Sequence, residues 1–309
     1  MFEKLVEDFL FHCIYEKNLS QKTIKAYKID INQYKEFIDI SQKDFDDKEL
    51  LKSYVKYLFS KNYKEKTIKR KLATLKAFFS HLEFEEIINI NPFRKVRLSI
   101  KEPKMLSKTL NLKEIKKIFT YVYKQKENYI YKERYTYKSI IRDIAVLELL
   151  FATGIRVSEV CSLRVKDMDL QSGVVLVFGK GSKQRTLHIC DSDVKKALKE
   201  YIESFNKKDK NEILFTNRLG QSLSEQSVRF MIKKYQEQSG VLKHTTPHMF
   251  RHSFATLLLE EGVDIRYIQQ MLGHSSISTT QIYTQVNLKH QKKILGSKHP
   301  RRKFLMESK

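Results

Sequence analysis

The sequence predicts a mainly α-helical protein with one small β-hairpin sheet, built as a helical N-terminal domain followed by an α+β domain. Three observations predict it. Apolar residues recur at helical spacing through most of residues 1–90. Two β-like runs, Val174–Phe178 and 185–189, flank a tip containing Gly179, Lys180, Gly181, Ser182 and Lys183, which is a hairpin signature. Helical patterning then resumes, broken at Gly262 and stopped at Gly273. A chain of 309 residues is long enough for two domains with cores of their own.

Hydrophobic residues make up 41% and charged residues 31%, the balance of a soluble globular protein. No run of 18 or more apolar residues occurs, so no membrane span is expected. The first residues, MFEKLVEDFLFHCIYEKN, lack the basic, apolar, small order of a signal peptide. Cys13, Cys161 and Cys190 are odd in number and far apart, which argues against a disulfide framework and for the reducing cytoplasm. Lys and Arg number 59 against 36 Asp and Glu, a formal charge of +23. Such an excess favours polyanions, nucleic acid above all or an anionic membrane. A lysine-rich composition without a polyanion partner is the competing reading, and the placement of the charge favours the first.

Phe2, Leu5, Val6, Phe9 and Leu10 mark a first helix. Ser20 caps a second, with Ile24, Tyr27, Ile31, Tyr34, Phe37 and Ile38 facing inward. A third helix covers about 48–59, and a fourth covers about 64–82 on Ile68, Leu72, Leu75, Phe78 and Phe79. A run of charge is often only a solvated face. On a core-forming helix, however, Lys66, Lys69, Arg70 and Lys71 become candidates for tracking DNA phosphates. Residues 1–92 hold no catalytic constellation and read as a domain for holding something. Asn91 and Pro92 break the pattern, and the basic segment 93–109, with Pro103, reads as an interdomain linker to a domain over 110–309.

That second domain begins with a helix over about 112–124. Residues 124–138, rich in Lys and Tyr, have no clear period: they suit base stacking, a surface loop or a helix extension equally. An apolar helix runs from Ile140 to Gly154, and a further helix begins near Arg156, with Glu159 three residues on. After the hairpin, helices are expected near 193–205 and 224–237. Thr246 is an N-cap with Pro247 at the first helical position. His248 and Arg251 then share a face near a helix start, where unpaired N–H groups favour an anion. Asp264 caps a last short helix that stops at Gly273 and His274. Tyr283 follows nine residues later, and a basic helix-like tail closes the chain.

Singly, these residues have bland readings. Tyr283 is one of 16 tyrosines, Lys180 fits a turn, and Arg156 with Glu159 fits a helix-face ion pair. His248 and His252 stand at metal-ligand spacing, but Met249 occupies the metalloprotease glutamate position and Arg251 lies between them, so no metal is expected. Together the residues fit displacement at a phosphodiester. Tyr283 supplies the nucleophile, Arg156 and Arg251 offer planar forks for two phosphate oxygens, and His248 and His274 donate hydrogen bonds or move protons. Lys180, on a hairpin tip, is placed to protonate the leaving group. With arginines doing the charge work, no metal or other cofactor is required.

The segments ATGIRVSEV, FGKGSKQR, TPHMFRHSFAT and MLGHSS, with Tyr283 nine residues after His274, resemble tyrosine recombinases of the Xer and phage-integrase type over nearly the whole chain. The resemblance implies a helical core-binding domain, a linker and a tyrosine-recombinase catalytic domain. It implies that Arg156 and Arg251 clamp the phosphate, that Lys180 protonates the leaving 5′-oxygen, and that His248 and His274 are the pocket histidines. Glu159 then supports Arg156, and Tyr283 forms a 3′-phosphotyrosine that stores the bond energy, so that rejoining needs no ATP. It further implies a homo- or hetero-tetramer on double-stranded recombination sites, with the tail after Tyr283 donated to a neighbouring protomer. Chromosome-dimer resolution and movement of a mobile element both fit. A strand-swivelling type IB topoisomerase and a DNA-binding regulator without chemistry are the rivals. The target sequence, a second recombinase and an activating protein leave no signature in the residues.

Overall fold

Amphipathic spacing in the N-terminal part becomes four helices: α1 (Phe2–Phe11), α2 (Gln21–Ser41), α3 (Lys48–Ser60) and α4 (Glu65–Phe84). The computed structural model describes residues 2–41, 44–96, 100, 109–179, 184–273 and 295–303. It divides into two units, Met1–Met105 and Leu106–Lys309. In the first, Phe9, Ile31, Tyr34, Leu51, Tyr54, Ile68, Phe78 and Phe79 form a core from all four helices. A single π-helical turn, His12–Glu16, extends α1, and Asp47 caps α3 by accepting from the Glu49 N–H at 2.9 Å.

Two expectations change in this unit. Lys71 is not on the surface: it is 4% exposed, and its ammonium donates to Asp30 Oδ1 at 2.9 Å. Asp30 is fully buried and also accepts from Arg70 and, at 3.0 Å, from the Thr74 hydroxyl. A buried charge is tolerated only when paired and hydrogen-bonded, so Lys71 is a core ion-pair residue rather than a phosphate contact. Lys66, Lys69 and Arg70 remain exposed. The expected linker also starts too early. Pro92–Arg94 form a short 3-10 turn capped by Asn91, and Phe93, Val96 and Ile100 pack on the first core.

The second unit contains α5 (Leu112–Glu127), α6 (Tyr135–Thr153) and α7 (Val157–Ser162). A sheet of β1 (Met168–Asp169), β2 (Val174–Phe178) and β3 (Gln184–His188) follows. Then come α8 (Ser192–Ser204), α9 (Glu225–Gln238), α10 (Pro247–Glu260) and α11 (Ile265–Leu272). From Ile140 to Thr153, every residue of α6 except Arg142 is buried, which makes α6 the central helix of the unit. The Asp143 carboxylate, buried on α6, accepts from Arg142 and, at 2.9 Å, from the Tyr235 hydroxyl of α9. The sheet is antiparallel in the order β1-β2-β3, with Val174 opposite His188 and Phe178 opposite Gln184. Its two-residue first strand is absent from the sequence reading, because two residues carry no period.

Segment 124–138 resolves into the end of α5, a short connection and the first turn of α6, which begins five residues earlier than expected. Arg142 donates to the Tyr135 hydroxyl at 3.0 Å and to the Thr216 carbonyl at 3.3 Å, holding that turn in place. The Tyr129 and Tyr137 rings stack across the connection at 6.1 Å, and the Arg134 guanidinium lies 4.3 Å over the Tyr131 ring.

Residues 295–303 dock on this chain's own second unit. Leu295 joins a cluster with Phe254, Leu258, Ile268, Met271 and Leu272. Arg301 and Glu148 of α6 are both fully buried, with two hydrogen bonds at 3.2 Å between them, and Tyr123 donates to the same carboxylate at 2.8 Å. Burial pushes His299 down to about 4, leaving a neutral ring whose Nδ1 accepts from the Arg301 N–H at 2.9 Å.

Candidate active site

The site grows out of three helix ends. Gly154 ends α6 in the left-handed conformation, φ +63°, which an L side chain adopts only with strain. The turn leads directly to Arg156 at the cap of α7. One turn into that helix, Glu159 reaches back and accepts the Arg156 N–H at 2.9 Å, as a capping-box acid does. Thr246 caps α10, with Pro247 at its first position as expected, so that Arg251 sits just over one turn into the helix. Asp264 caps α11 through the Arg266 N–H at 2.7 Å, and Gly273, φ +64°, ends it.

The last turn of α11 is where these parts meet. A helix C-terminus leaves carbonyl oxygens without partners and carries partial negative charge, so cations settle there. Three guanidiniums do, each from a different element. Arg251 Nη2 donates to the Leu272 carbonyl at 2.5 Å, Arg156 Nη2 to the Gly273 carbonyl at 2.8 Å, and Arg185 Nε, from β3, to the Met271 carbonyl at 3.2 Å. Arg251 Nη1 donates in addition to the Gly154 carbonyl at 2.7 Å, tying the end of α6 to the end of α11.

Among the described residues the cluster has one carboxylate, Glu159, 5% exposed. Its oxygens accept from Arg156 Nη1 at 2.9 Å and from Arg185 Nη1 and Nη2, each at 2.7 Å. Burial alone would push the Glu159 carboxyl up; the hydrogen bonds from Arg185 and from the Arg156 N–H outweigh it and hold the group below its ordinary 4.5. Three positive charges thus face one negative. Arg251 registers the surplus: burial, then the neighbouring Arg156 and Arg185, push it down to about 9, still protonated at neutral pH. The arrangement suits a guest anion with several oxygens, which would complete the charge balance.

The structure therefore brings Arg156, Glu159 and Arg251 together. His248 lies exposed near the start of α10, its ring 4.4 Å from that of His252 in an edge-on contact. Lys180, His274 and Tyr283 lie outside the described residues, although Gly273, whose carbonyl Arg156 holds, is the residue before His274. Arg185 is the member that sequence reasoning missed. The signal was its place two residues before the buried Leu187 on one strand, hence on the same face. An arginine turned toward a core needs an acid. Among the described residues, no group of three or more His, Cys, Asp or Glu is arranged to hold a metal.

Comparison with known proteins agrees with this architecture. Residues 108–290 match the phage integrase family, and residues 6–86 match the phage integrase N-terminal SAM-like domain. A tyrosine recombinase of Agathobacter rectalis is 47% identical over 304 residues, covering 97% of each chain. Tyrosine recombinase XerC of Thermodesulfovibrio yellowstonii is 37% identical over 302 residues, covering 96% of each. The crystal structure of the XerH site-specific recombinase in a post-cleavage complex shares the fold, with a TM-score of 0.68 at 22% identity, covering 93% of this chain and 83% of that one. The chain belongs to the phage integrase family: it is a tyrosine recombinase, an enzyme of site-specific DNA recombination.

Proposed function

We propose that the second unit cuts one DNA strand by transferring its scissile phosphate to Tyr283. The Tyr283 oxygen bonds to phosphorus as the bond to the 5′-oxygen breaks, giving a 3′-phosphotyrosine and a free 5′-hydroxyl. Lys180 gives the leaving oxygen its proton. Arg156 and Arg251 hold the non-bridging oxygens, Glu159 supports Arg156, and His248 and His274 donate hydrogen bonds or move protons. Attack by a 5′-hydroxyl of the exchanged strand reverses the step, so neither ATP nor a metal enters. The observation that carries this reading is the trio of guanidiniums on the last turn of α11, of which Arg156 and Arg185 share the Glu159 carboxylate and Arg251 has only carbonyl partners among the described residues. That is a receptor for a phosphate, and rigid donors aimed at developing charge are the largest source of catalysis in such sites.

The first unit, proposed over residues 1–96, holds the duplex, with Lys66, Lys69 and Arg70 as phosphate contacts. The segment from 97 to 109 links it to the catalytic domain. The partners are double-stranded recombination sites and further protomers, in a homo- or hetero-tetramer. Exchange of tails within such a tetramer moves the Glu148–Arg301 pair from within one chain to between two. No helix among the described residues is long and apolar enough to cross a membrane, which fits work on the chromosome in the cytoplasm. Chromosome-dimer resolution is the biological role that the full-length match to a relative named XerC supports. Sequencing covalent adducts across the source genome separates it from mobile-element integration: a single chromosomal locus supports it, and element ends overturn it.

The chemistry is tested on a nicked suicide substrate, from which the cut fragment diffuses away and traps the adduct. Tyr283→Phe is expected to bind the site with unchanged affinity and to form no adduct. Adduct accumulation by that variant would remove Tyr283 from the role.

A further inference from the structure

We propose that Arg185 is a positioning residue of this site, acting through Glu159 on Arg156. The inference rests on the reading of Arg156 as a phosphate clamp and adds a residue to it.

The two oxygens of Glu159 are divided between the same two residues. Oε1 accepts from Arg185 Nη1 at 2.7 Å and from Arg156 Nη1 at 2.9 Å. Oε2 accepts from Arg185 Nη2 at 2.7 Å and from the Arg156 N–H at 2.9 Å. A fork-on-fork pair of this kind is planar, so Arg185 sets the plane of the carboxylate. The carboxylate plane in turn sets the direction of Arg156 Nη1, leaving Nη2 to the Gly273 carbonyl. The Arg185 side chain is 13% exposed against 37% for Arg156. The inner arginine is therefore built in, and the outer one is left where a ligand reaches it.

Among the described residues, Arg185 is also the member of the cluster that joins β3 to the end of α11. It stands opposite Val177 on β3, in the strand that returns from the hairpin tip. Its Nε holds the Met271 carbonyl at 3.2 Å, and its stem passes so close to Gly273 that a Cβ there would lie 3.0 Å from its Cδ. The sheet, α7 and the end of α11 are thus locked through one guanidinium. A lysine supplies the charge but has no planar fork, and the fork is what this role requires.

The test compares Arg185→Lys, Arg185→Gln, Glu159→Gln and Arg156→Gln for adduct formation at saturating protein and for site affinity. Arg185→Lys and Arg185→Gln are both expected to slow adduct formation about 10²-fold, with affinity changed by no more than about threefold. Adding Arg185→Gln to Glu159→Gln is expected to cost little beyond the worse single variant, because both act on one path. A substrate with a methylphosphonate at the scissile position carries no negative charge for Arg156 to neutralise. It is expected to narrow the gap between wild type and the Arg185 variants, whereas a folding defect leaves the gap unchanged. A wild-type rate for Arg185→Lys, additive losses in the double variant, or an unchanged gap on the methylphosphonate would each overturn the inference. The two readings fail separately. Normal cleavage by Arg156→Gln removes the clamp itself, and loss in Arg156→Gln with none in Arg185→Gln removes only this role.

Discussion

Gly154→Ala probes the join on which the site depends. At φ +63° the new side chain meets left-handed strain of about 1–2 kcal/mol. Its Cβ would also lie 2.6 Å from Phe254 Cδ1 and 2.8 Å from Leu272 Cδ2, closer than carbon atoms approach. Relieving such overlap in a packed core costs about 1–3 kcal/mol, so the substitution destabilises the catalytic unit by about 2–5 kcal/mol in all. For a unit of this size each kcal/mol lowers the melting temperature by about 2–4 °C, giving a fall on the order of 4–20 °C in calorimetry. The atoms struck belong to α10 and α11, and the Gly154 carbonyl is a partner of Arg251. Adduct formation measured well below the transition is therefore expected to fall as well. On a Phe254→Leu background the overlap shrinks while the φ strain stays, so the two changes should couple by about 1 kcal/mol. A Gly154→Ala protein that melts within about 1 °C of wild type and cleaves at the wild-type rate would refute the argument.

Four further outcomes follow from the same physics. Glu159 has its carboxyl lowered in the folded state, so its stabilisation is complete above the ordinary 4.5 and is lost as pH falls through the lower folded value. The stability gap between wild type and Glu159→Gln should accordingly close in acid, and a gap independent of pH would contradict the ion pairs. Asp30→Ala strands Lys71 in the first core and should cost about 3–5 kcal/mol in denaturant unfolding. Lys66→Ala should instead leave stability unchanged and reduce the salt slope of DNA binding by about 1. Glu148→Gln removes one side of a fully buried pair and should release the tail, seen as faster amide exchange over 295–303; unchanged protection would show that the apolar contacts of Leu295 suffice.

Local rules made much of this molecule legible. The apolar spacing of Ile68, Leu72, Leu75 and Phe78 identified α4, and Thr246 with Pro247 marked the start of α10. Gly154 and Gly273 marked helix ends because a left-handed residue shows itself as glycine. What stayed hidden was set by tertiary partners. Lys71 reads as surface charge until Asp30, 41 residues away, is seen beside it. Arg185 reads as a strand residue until Glu159 and the Met271 carbonyl meet it. The early start of α6 depends on Arg142 bonding Tyr135 and a distant carbonyl, and the docking of the tail depends on Glu148, 153 residues before Arg301. Periodicity reports which face is apolar; it does not report which buried charge finds which partner.

The most direct measurement is the chemical identity of the protein–DNA link. Adduct trapped on a nicked substrate is digested with protease and nuclease, and the modified peptide is sequenced by mass spectrometry. The expected product is one nucleotide joined through its 3′-phosphate to Tyr283. A link to any other residue, or through a 5′-phosphate, would contradict the assignment.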